Sequence, residues 1–274
     1  MQLSHALAAA IALGLPRLDA QLLLLHVLGR APNDRAWLLS HDGDALSAEA
    51  QEQFLALAQR RVGGEPLAYL TGIKEFYGLP LQVDARVLDP RPDTETLVEW
   101  ALERLATLSA PRVIDLGAGS GAIALALKHA RPDAQVSSVD ASADALAVAR
   151  ANAQRLGLDV TFLQGNWLAG LAGRFDLIVS NPPYIAEDDP HLAALGHEPR
   201  QALTAGRDGL DDIRTIIQQA VGHLQTGGWL LLEHGWDQAT VVRTLLQAAG
   251  FVDVQSRQDL SGIERCSGGQ APLV

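Results

Sequence analysis

From residue 112 onward, short apolar runs alternate with longer amphipathic ones, and this rhythm constrains the fold more than any single motif. "RVIDLG" (112–117), "AQVSSVD" (134–140), "VTFL" (160–163), "FDLIVS" (175–180), "GWLLLEHG" (228–235) and "FVDVQS" (251–256) read as strands. Between them, "SGAIALALKHA" (120–130), "ADALAVARANAQRLG" (143–157) and segments near 209–224 and 237–249 carry helical periodicity. Strands spaced by helices cannot be joined as hairpins. They imply a mostly parallel sheet covered by helices on both faces.

The first 74 residues differ. Leu3, Leu7, Ala10 and Ile11 fit one helix face, Leu18, Leu22, Leu25 and Leu28 the next, and Phe54, Leu57 and Ala58 a third. Asp34 and Ser47 are candidate caps. Helices this short bury their apolar faces only against one another, so a small bundle is expected at 1–74, with partner recognition as its sharper role. Residues 75–92, "EFYGLPLQVDARVLDPRP", place Gly78-Leu79-Pro80 as a turn, with Leu81 and Val83 alternating with polar residues. That predicts a hairpin linker. A helix from about Asp93 to Leu108, capped by Asp93 or Thr94, opens a larger domain spanning 93–274.

The formal net charge is −11, which makes the chain a poor general binder of phosphate backbones. The single cysteine, Cys266, excludes an internal disulfide and four-cysteine zinc sites and suits a reducing cytoplasm. His191, His197, His223 and His234 lack metal-ligand spacing, so no metal is expected. The apolar N-terminus lacks a basic leader, and Pro16, Arg17 and Asp19 interrupt it short of the roughly 18 residues of a membrane span.

Two motifs stand where strands end. "VIDLGAGSG" puts Gly117, Ala118, Gly119, Ser120 and Gly121 between the first strand of the larger domain and its helix, where such sheets bind ligands. A tight turn is the plain alternative. Asp140 ends the next strand, about 20 residues on, placed to accept the hydroxyls of a ribose. A dinucleotide is one candidate, but the spacing is G-x-G-x-G rather than G-x-G-x-x-G. With Asp115 before it, the loop resembles the S-adenosylmethionine-binding loop of class I methyltransferases. In that family the segment after the third strand, here "LQGNWLAG", commonly holds adenine. Trp167 can pack on its face, while Asn166 stands where Asp is frequent.

"SNPPY" (180–184) follows the fourth strand of that domain and faces the same end of the sheet. The tetrapeptide resembles the catalytic motif of methyltransferases acting on planar, amide-like nitrogens: adenine and guanine exocyclic amines and the glutamine side chain. An amide nitrogen is a poor nucleophile because its lone pair is delocalised. Two acceptors aimed at its NH₂ protons, Asn181 Oδ1 and the Pro182 carbonyl, can hold it and favour pyramidal character. Pro182 and Pro183 restrict that carbonyl, and Tyr184 can lie against the planar group.

Longer segments narrow the class. "EFYGLPLQV", "VLDPRPDTETLVEWAL", "DLGAGSGAIALAL", "SNPPYI", "HEPRQALTAGRDGLDDIR" and "LLEHGWDQ" together resemble the bacterial release factor glutamine methyltransferases over nearly the whole chain. The resemblance implies a class I S-adenosylmethionine-dependent methyltransferase fold, with a Rossmann-like seven-stranded sheet behind the helical bundle and hairpin. It implies methylation of the glutamine in the Gly-Gly-Gln motif of peptide chain release factors, with S-adenosylhomocysteine as the second product. Substrate contacts carry over to Asn181, Pro182, Pro183 and Tyr184. Cofactor contacts carry over to Gly117–Gly121, Asp140, Trp167 and Asn181. The expected protein is a cytoplasmic monomer whose partner is a release factor, with no nucleic acid or membrane. The competing activity is an adenine or guanine exocyclic-amine methyltransferase.

Arg91, Asp93 and Glu95 are placed to close over the cofactor or, equally, to cap the hairpin and helix; Glu198 and Pro199 shape a substrate entrance or a salt-bridged loop. The C-terminal "IERCSGGQAPLV" departs from the family's usual aromatic or basic finish. Its Gly268-Gly269-Gln270 copies the substrate triplet, and the segment reads as a flexible tail that holds it by chance.

Overall fold

The computed structural model describes residues 1–272, so the last two residues of the expected catalytic span, 273–274, lie outside the described residues. The chain divides into two compact units, residues 1–73 and 74–274.

The first unit contains α1 (Leu3–Ala12), α2 (Arg17–Val27), α3 (Arg35–Ser40), α4 (Ala48–Val62) and α5 (Leu67–Thr71). Its core gathers Leu3, Ala6, Ala10, Leu23, Leu24, Phe54 and Ala58. The expected α2 stripe is rotated: Ala20, Leu23, Leu24 and Leu25 are buried, whereas Leu18 is exposed and Leu22 and Leu28 are half-buried. Four consecutive leucines satisfy more than one helical register, and the one chosen puts compact Ala20 inward. Ile11 likewise lies exposed beyond the α1 stripe. Ser47 caps α4 by accepting from Ala50 N at 3.1 Å, an interaction typically contributing about 1 kcal/mol. Asp34 precedes α3 without a side-chain capping bond.

The second unit opens with a hairpin, β1 (Ile73–Phe76) and β2 (Leu79–Gln82), followed by α6 (Glu95–Leu105). Helix α6 starts two residues later and ends earlier than its periodicity suggests, because Pro92–Thr94 form a 3₁₀ turn and Thr94 makes no capping bond. The rest runs β3 (Arg112–Leu116), α7 (Ala122–Ala130), β4 (Gln135–Asp140), α8 (Ala143–Leu156), β5 (Thr161–Gln164), β6 (Phe175–Ser180), α9 (Asp211–His223), β7 (Leu224–Glu233), α10 (Ala239–Ala248), β8 (Val252–Gln258) and β9 (Glu264–Gln270). Asn152 of α8 docks the hairpin, accepting from Gln82 N at 2.7 Å and donating to Gln82 O at 2.9 Å.

The seven-stranded sheet has the order β5-β4-β3-β6-β7-β9-β8. The first five strands in that order are parallel, and β9 runs antiparallel between β7 and β8. The chain leaves β3 toward β4 and later returns to β3's other side as β6. The crevice at the carboxyl ends of β3 and β6 is therefore the topological switch point, where open α/β sheets bind ligands.

The expected flexible tail is instead β9, an interior strand. Gly268 and Ser267 are buried, and Gln270 Nε2 donates to Gly227 O at 2.8 Å. The glycine serves close packing: a Cβ at Gly268 would lie 2.5 Å from Leu231 Cδ2 and 2.6 Å from Leu230 O. Two glycines and a glutamine read as loop chemistry in isolation; here small size lets β9 pass under Trp100 and beside β7.

Candidate active site

A cavity of about 280 Å³ opens at the switch point. Gly117, Ala118, Gly119 and Ser120 form one wall, after β3. Gly117 has φ +88°, a conformation that L side chains rarely adopt, and a Cβ there would sit 3.6 Å from Trp167 and 3.9 Å from Asn181 O. The bare backbone thus keeps a cradle open between the two motifs. Gly121 begins α7 just beyond and does not line the cavity.

Asp140 closes the adjacent wall. Its Oδ2 accepts from Gly119 N at 2.9 Å and its Oδ1 from Ser142 N at 2.8 Å. Each oxygen keeps lone-pair capacity for a ligand hydroxyl while the backbone fixes the carboxylate. Trp167 and Asn166 also line the cavity, with Trp167 close beside Gly117. Trp167 has φ +53°, an outlier for a bulky residue. It is held there by its Nε1–H, which donates to Asp212 Oδ1 at 3.2 Å, and by packing on the core around Leu168 and Ile213. Burial raises the Asp212 carboxyl, and the Trp167 bond opposes that shift. Strain sustained by several contacts beside a cavity is characteristic of ligand sites.

Asn181 lies where the large cavity meets a second one of about 180 Å³, and it lines both. Its Nδ2 donates to Thr94 Oγ1 at 3.1 Å. That assignment leaves Oδ1 as the free acceptor. Pro183 lines the large cavity, whereas Pro182 is buried and lines neither. Tyr184 borders the second cavity, with Leu88, Arg91, Leu195 and Leu203, and its hydroxyl points inward to Glu233 Oε1 at 3.4 Å. Burial, then the Glu233 charge, pushes the phenol well above its ordinary range, so it remains a donor. Gln238 Nε2 pins the Tyr184 carbonyl at 3.0 Å.

Of the acidic and basic residues flanking the motifs, Arg91 reaches both cavities. Its guanidinium pairs with Glu198 at 2.5 Å and Asp89 at 3.5 Å. Glu198 is buried behind it and also accepts from Asp89 N, so it holds Arg91 rather than lining a cavity; Pro199 does line the large one. Asp93 and Glu95 do not close over the site. Glu95 accepts from Tyr77 N at 3.0 Å, and Asp93 lies 3.7 Å from Arg265. Once the 3₁₀ turn replaces the first helical turn, these side chains point to the hairpin and to β9. Among the described residues no His, Cys, Asp and Glu group has metal-binding geometry.

Sequence reading missed three participants. Thr94 was legible only as a cap, and its partner Asn181 is distant in the chain. Asp212 gives no local signal. Glu233, 1% exposed, ends the apolar run of β7 as Asp140 ends β4, and that shared placement was the available clue.

Comparison with known proteins agrees with this geometry. The family model "PrmC N-terminal domain" matches residues 1–72, and "Methyltransferase small domain" matches residues 94–206. The release factor glutamine methyltransferase of Bordetella pertussis is 54% identical over 260 residues, covering 93% of this chain and 95% of that protein. The Escherichia coli enzyme of that name is 47% identical, covering 93% and 92% respectively. Among solved structures, the Thermus thermophilus 16S rRNA N2 G1207 methyltransferase, in complex with AdoMet and guanosine, aligns with TM-score 0.56 at 22% identity. That alignment covers 72% of this chain and 49% of that one. The human Mettl16 catalytic domain aligns with TM-score 0.61 at 14% identity, covering 92% and 91%. These two share the fold.

Proposed function

The chain belongs to the release factor glutamine methyltransferases, and from that premise we propose how its own residues carry the reaction. It is an S-adenosylmethionine-dependent protein-glutamine N-methyltransferase acting on peptide chain release factors, at the glutamine of a Gly-Gly-Gln motif. S-adenosylmethionine supplies a methyl group on a positively charged sulfur with a neutral leaving group. The residues present suit it: a glycine cradle that a Cβ would fill, an acid oriented by backbone N–H groups, and an indole beside the cradle.

Asp140 is assigned to the ribose hydroxyls and Trp167 to the adenine face, and Gly117–Ser120 let the backbone approach. The glutamine side chain enters past Leu88, Arg91 and Tyr184 through the smaller cavity, whose apolar walls exclude water from the amide. Asn181 Oδ1 accepts one NH₂ hydrogen; the Pro182 carbonyl, whose residue lines neither cavity before substrate enters, is assigned to the other. Among the described residues, no hydrogen bond occupies that carbonyl. Together they would hold the nitrogen for attack on the methyl group that the cofactor supplies. Positioning and charge complementarity lower the barrier, and no strong base is required before attack. The proton leaves after the nitrogen has become cationic.

The single observation carrying this reading is the Thr94–Asn181 bond, which leaves the asparagine oxygen available where the two cavities meet. The bundle of residues 1–73 is assigned to gripping the release factor body, and the enzyme to the cytoplasm. No helix among the described residues is long and apolar enough to cross a membrane. Labelled S-adenosylmethionine offered with release factor, DNA and ribosomal RNA in parallel tests the substrate class. Label in the release factor glutamine is expected, and label only in a nucleobase overturns the reading. Asn181→Ala should lower transfer by about 100- to 1000-fold, the usual cost of one preorganised polar contact, while cofactor binding stays measurable.

A further inference from the structure

Resting on the reading above, we propose that Glu233 is a positioning residue for methyl transfer: acting through the Thr94 hydroxyl, it fixes which end of the Asn181 amide faces the substrate.

Glu233 ends β7, one position past the Ser180–Leu232 pairing with β6, and so sits beside Asn181 at the sheet's carboxyl edge. It is 1% exposed. Its Oε1 accepts from the Tyr184 phenol, and its Oε2 has no hydrogen-bond partner among the described residues. A buried carboxyl without a matched cation is costly, and the fold has no packing need for one at a strand end. The Thr94 hydroxyl lies near enough to oppose the rise of the Glu233 carboxyl, although no hydrogen bond of ordinary geometry joins the two in this structure.

Hydrogen-bond counting then settles a direction. An asparagine amide has nearly the same shape with its oxygen and nitrogen exchanged, so partners alone decide which end points where. A threonine hydroxyl has one hydrogen and two lone pairs. Thr94 offers a lone pair to Asn181 Nδ2, which leaves its hydrogen for the nearby unpartnered carboxylate oxygen of Glu233 once the two close to bonding distance. Only Nδ2 can fill that role, so Oδ1 is turned to the substrate NH₂. If Thr94 were free to point its hydrogen at Asn181, the amide would reverse. The catalytic pair would then meet the substrate donor to donor. Tyr184, anchored on the same carboxyl, has its ring held beside the smaller cavity by the same group.

The arrangement is sensitive to the charge on Glu233. Burial pushes its carboxyl up to about 7; the Thr94 hydroxyl, Arg265 and Tyr184 oppose that rise and Asp93 adds to it. Cys266, its cross-strand neighbour on β9, faces it as well and stays protonated, its thiol raised chiefly by burial. Arg265 is shared with Asp259 at 3.2 Å, which limits its hold on Glu233. Protonated, Glu233 can donate to Thr94 and reverse the chain of bonds. Transfer should therefore be sustained above about pH 7 and fall below it. The substrate amide does not titrate in this range.

The test uses full-length enzyme and release factor, measuring kcat, KM and cofactor affinity between pH 5.5 and 8.5 for Glu233→Gln, Thr94→Val and Thr94→Ser. Glu233→Gln offers Thr94 both a donor and an acceptor, and Thr94→Val removes the lone pair in the same volume. Each should lower kcat by roughly 10- to 100-fold with cofactor affinity within about threefold. Glu233→Gln should also lose the acid limb of the profile. Thr94→Ser should recover most of what Thr94→Val loses. Native-like Thr94→Val turnover overturns the inference, as does a Glu233→Gln enzyme with the wild-type rate and acid limb. If Glu233→Gln does not fold, the contrast between Thr94→Val and Thr94→Ser decides alone. Failure of the wild-type enzyme to methylate release factor would instead sink the functional reading itself.

Discussion

Gly209 touches no ligand wall, yet Gly209→Ala should be a severe catalytic mutation. Its φ is +73°, and a Cβ there would stand 2.2 Å from the Tyr184 carbonyl oxygen and 2.8 Å from its carbon. Raising that separation from 2.2 Å to the 3.0 Å below which Cβ atoms are not found moves one backbone by about 0.8 Å. Gln238 Nε2, 3.0 Å from the same Cβ, donates to the Tyr184 carbonyl, so the added methyl also crowds the bond that fixes that carbonyl. The shift is transmitted through Pro183 and Pro182, whose rings leave little torsional freedom to absorb it. Misplacement on the order of 1 Å at a positioning group costs about 100-fold in rate. The left-handed conformation adds about 1–2 kcal/mol of destabilisation for alanine. Kinetics on release factor, with cofactor affinity by calorimetry, should therefore show kcat down roughly 100-fold while cofactor affinity stays within about threefold. Gly222→Ala is the matched control, since a Cβ there meets nothing within 4 Å inside α9. It should gain about 0.5–1 kcal/mol of stability and keep full activity. A folded Gly209→Ala enzyme within threefold of wild-type kcat would refute the coupling of the Tyr184 carbonyl to Asn181.

Removing residues 1–73 should reduce methylation of an intact release factor far more than of a short Gly-Gly-Gln peptide; equal losses on both, measured with the same labelled cofactor, would remove the bundle's assigned role. Stability should fall as pH rises from about 4 to about 7. The buried Asp115 and Glu233 carboxyls are both held near 7 in the native state, chiefly by burial, and release their protons near 4 when unfolded. Because the native state binds the extra protons, Asp115→Asn should raise stability at pH 8 by on the order of 1–3 kcal/mol and flatten the slope, read by denaturant titration at several pH values.

The sheet and the two motifs were legible because their signals are local. An apolar run states a buried strand, and the glycines, the acid or the asparagine that ends it state which edge carries chemistry. Gly117, Asp140, Trp167 and Asn181 fell into place on that logic and converge on one cavity. What the sequence hid depends on partners far along the chain. Thr94 looks like a helix cap until Asn181, 87 residues away, takes its oxygen. The Tyr184 hydroxyl has no visible partner until Glu233, 49 residues on, accepts from it. Gly268 looks like slack until Trp100 and Leu231 press on it from two directions.

These misreadings share a cause that bears on how the site is built. A residue type reports what a side chain is able to do, and burial removes all but one of those abilities. Thr94 is able to cap, donate or accept; enclosed between Asn181 and Glu233 it has one orientation that satisfies both neighbours. Asn181 is able to present either end of its amide; with Thr94 fixed it presents one. The catalytic motif supplies the acceptor, but its direction is set by a hydroxyl from the turn before α6 and a carboxyl from the end of β7. The tetrapeptide transplanted without those two groups should therefore lose its preference between donor and acceptor.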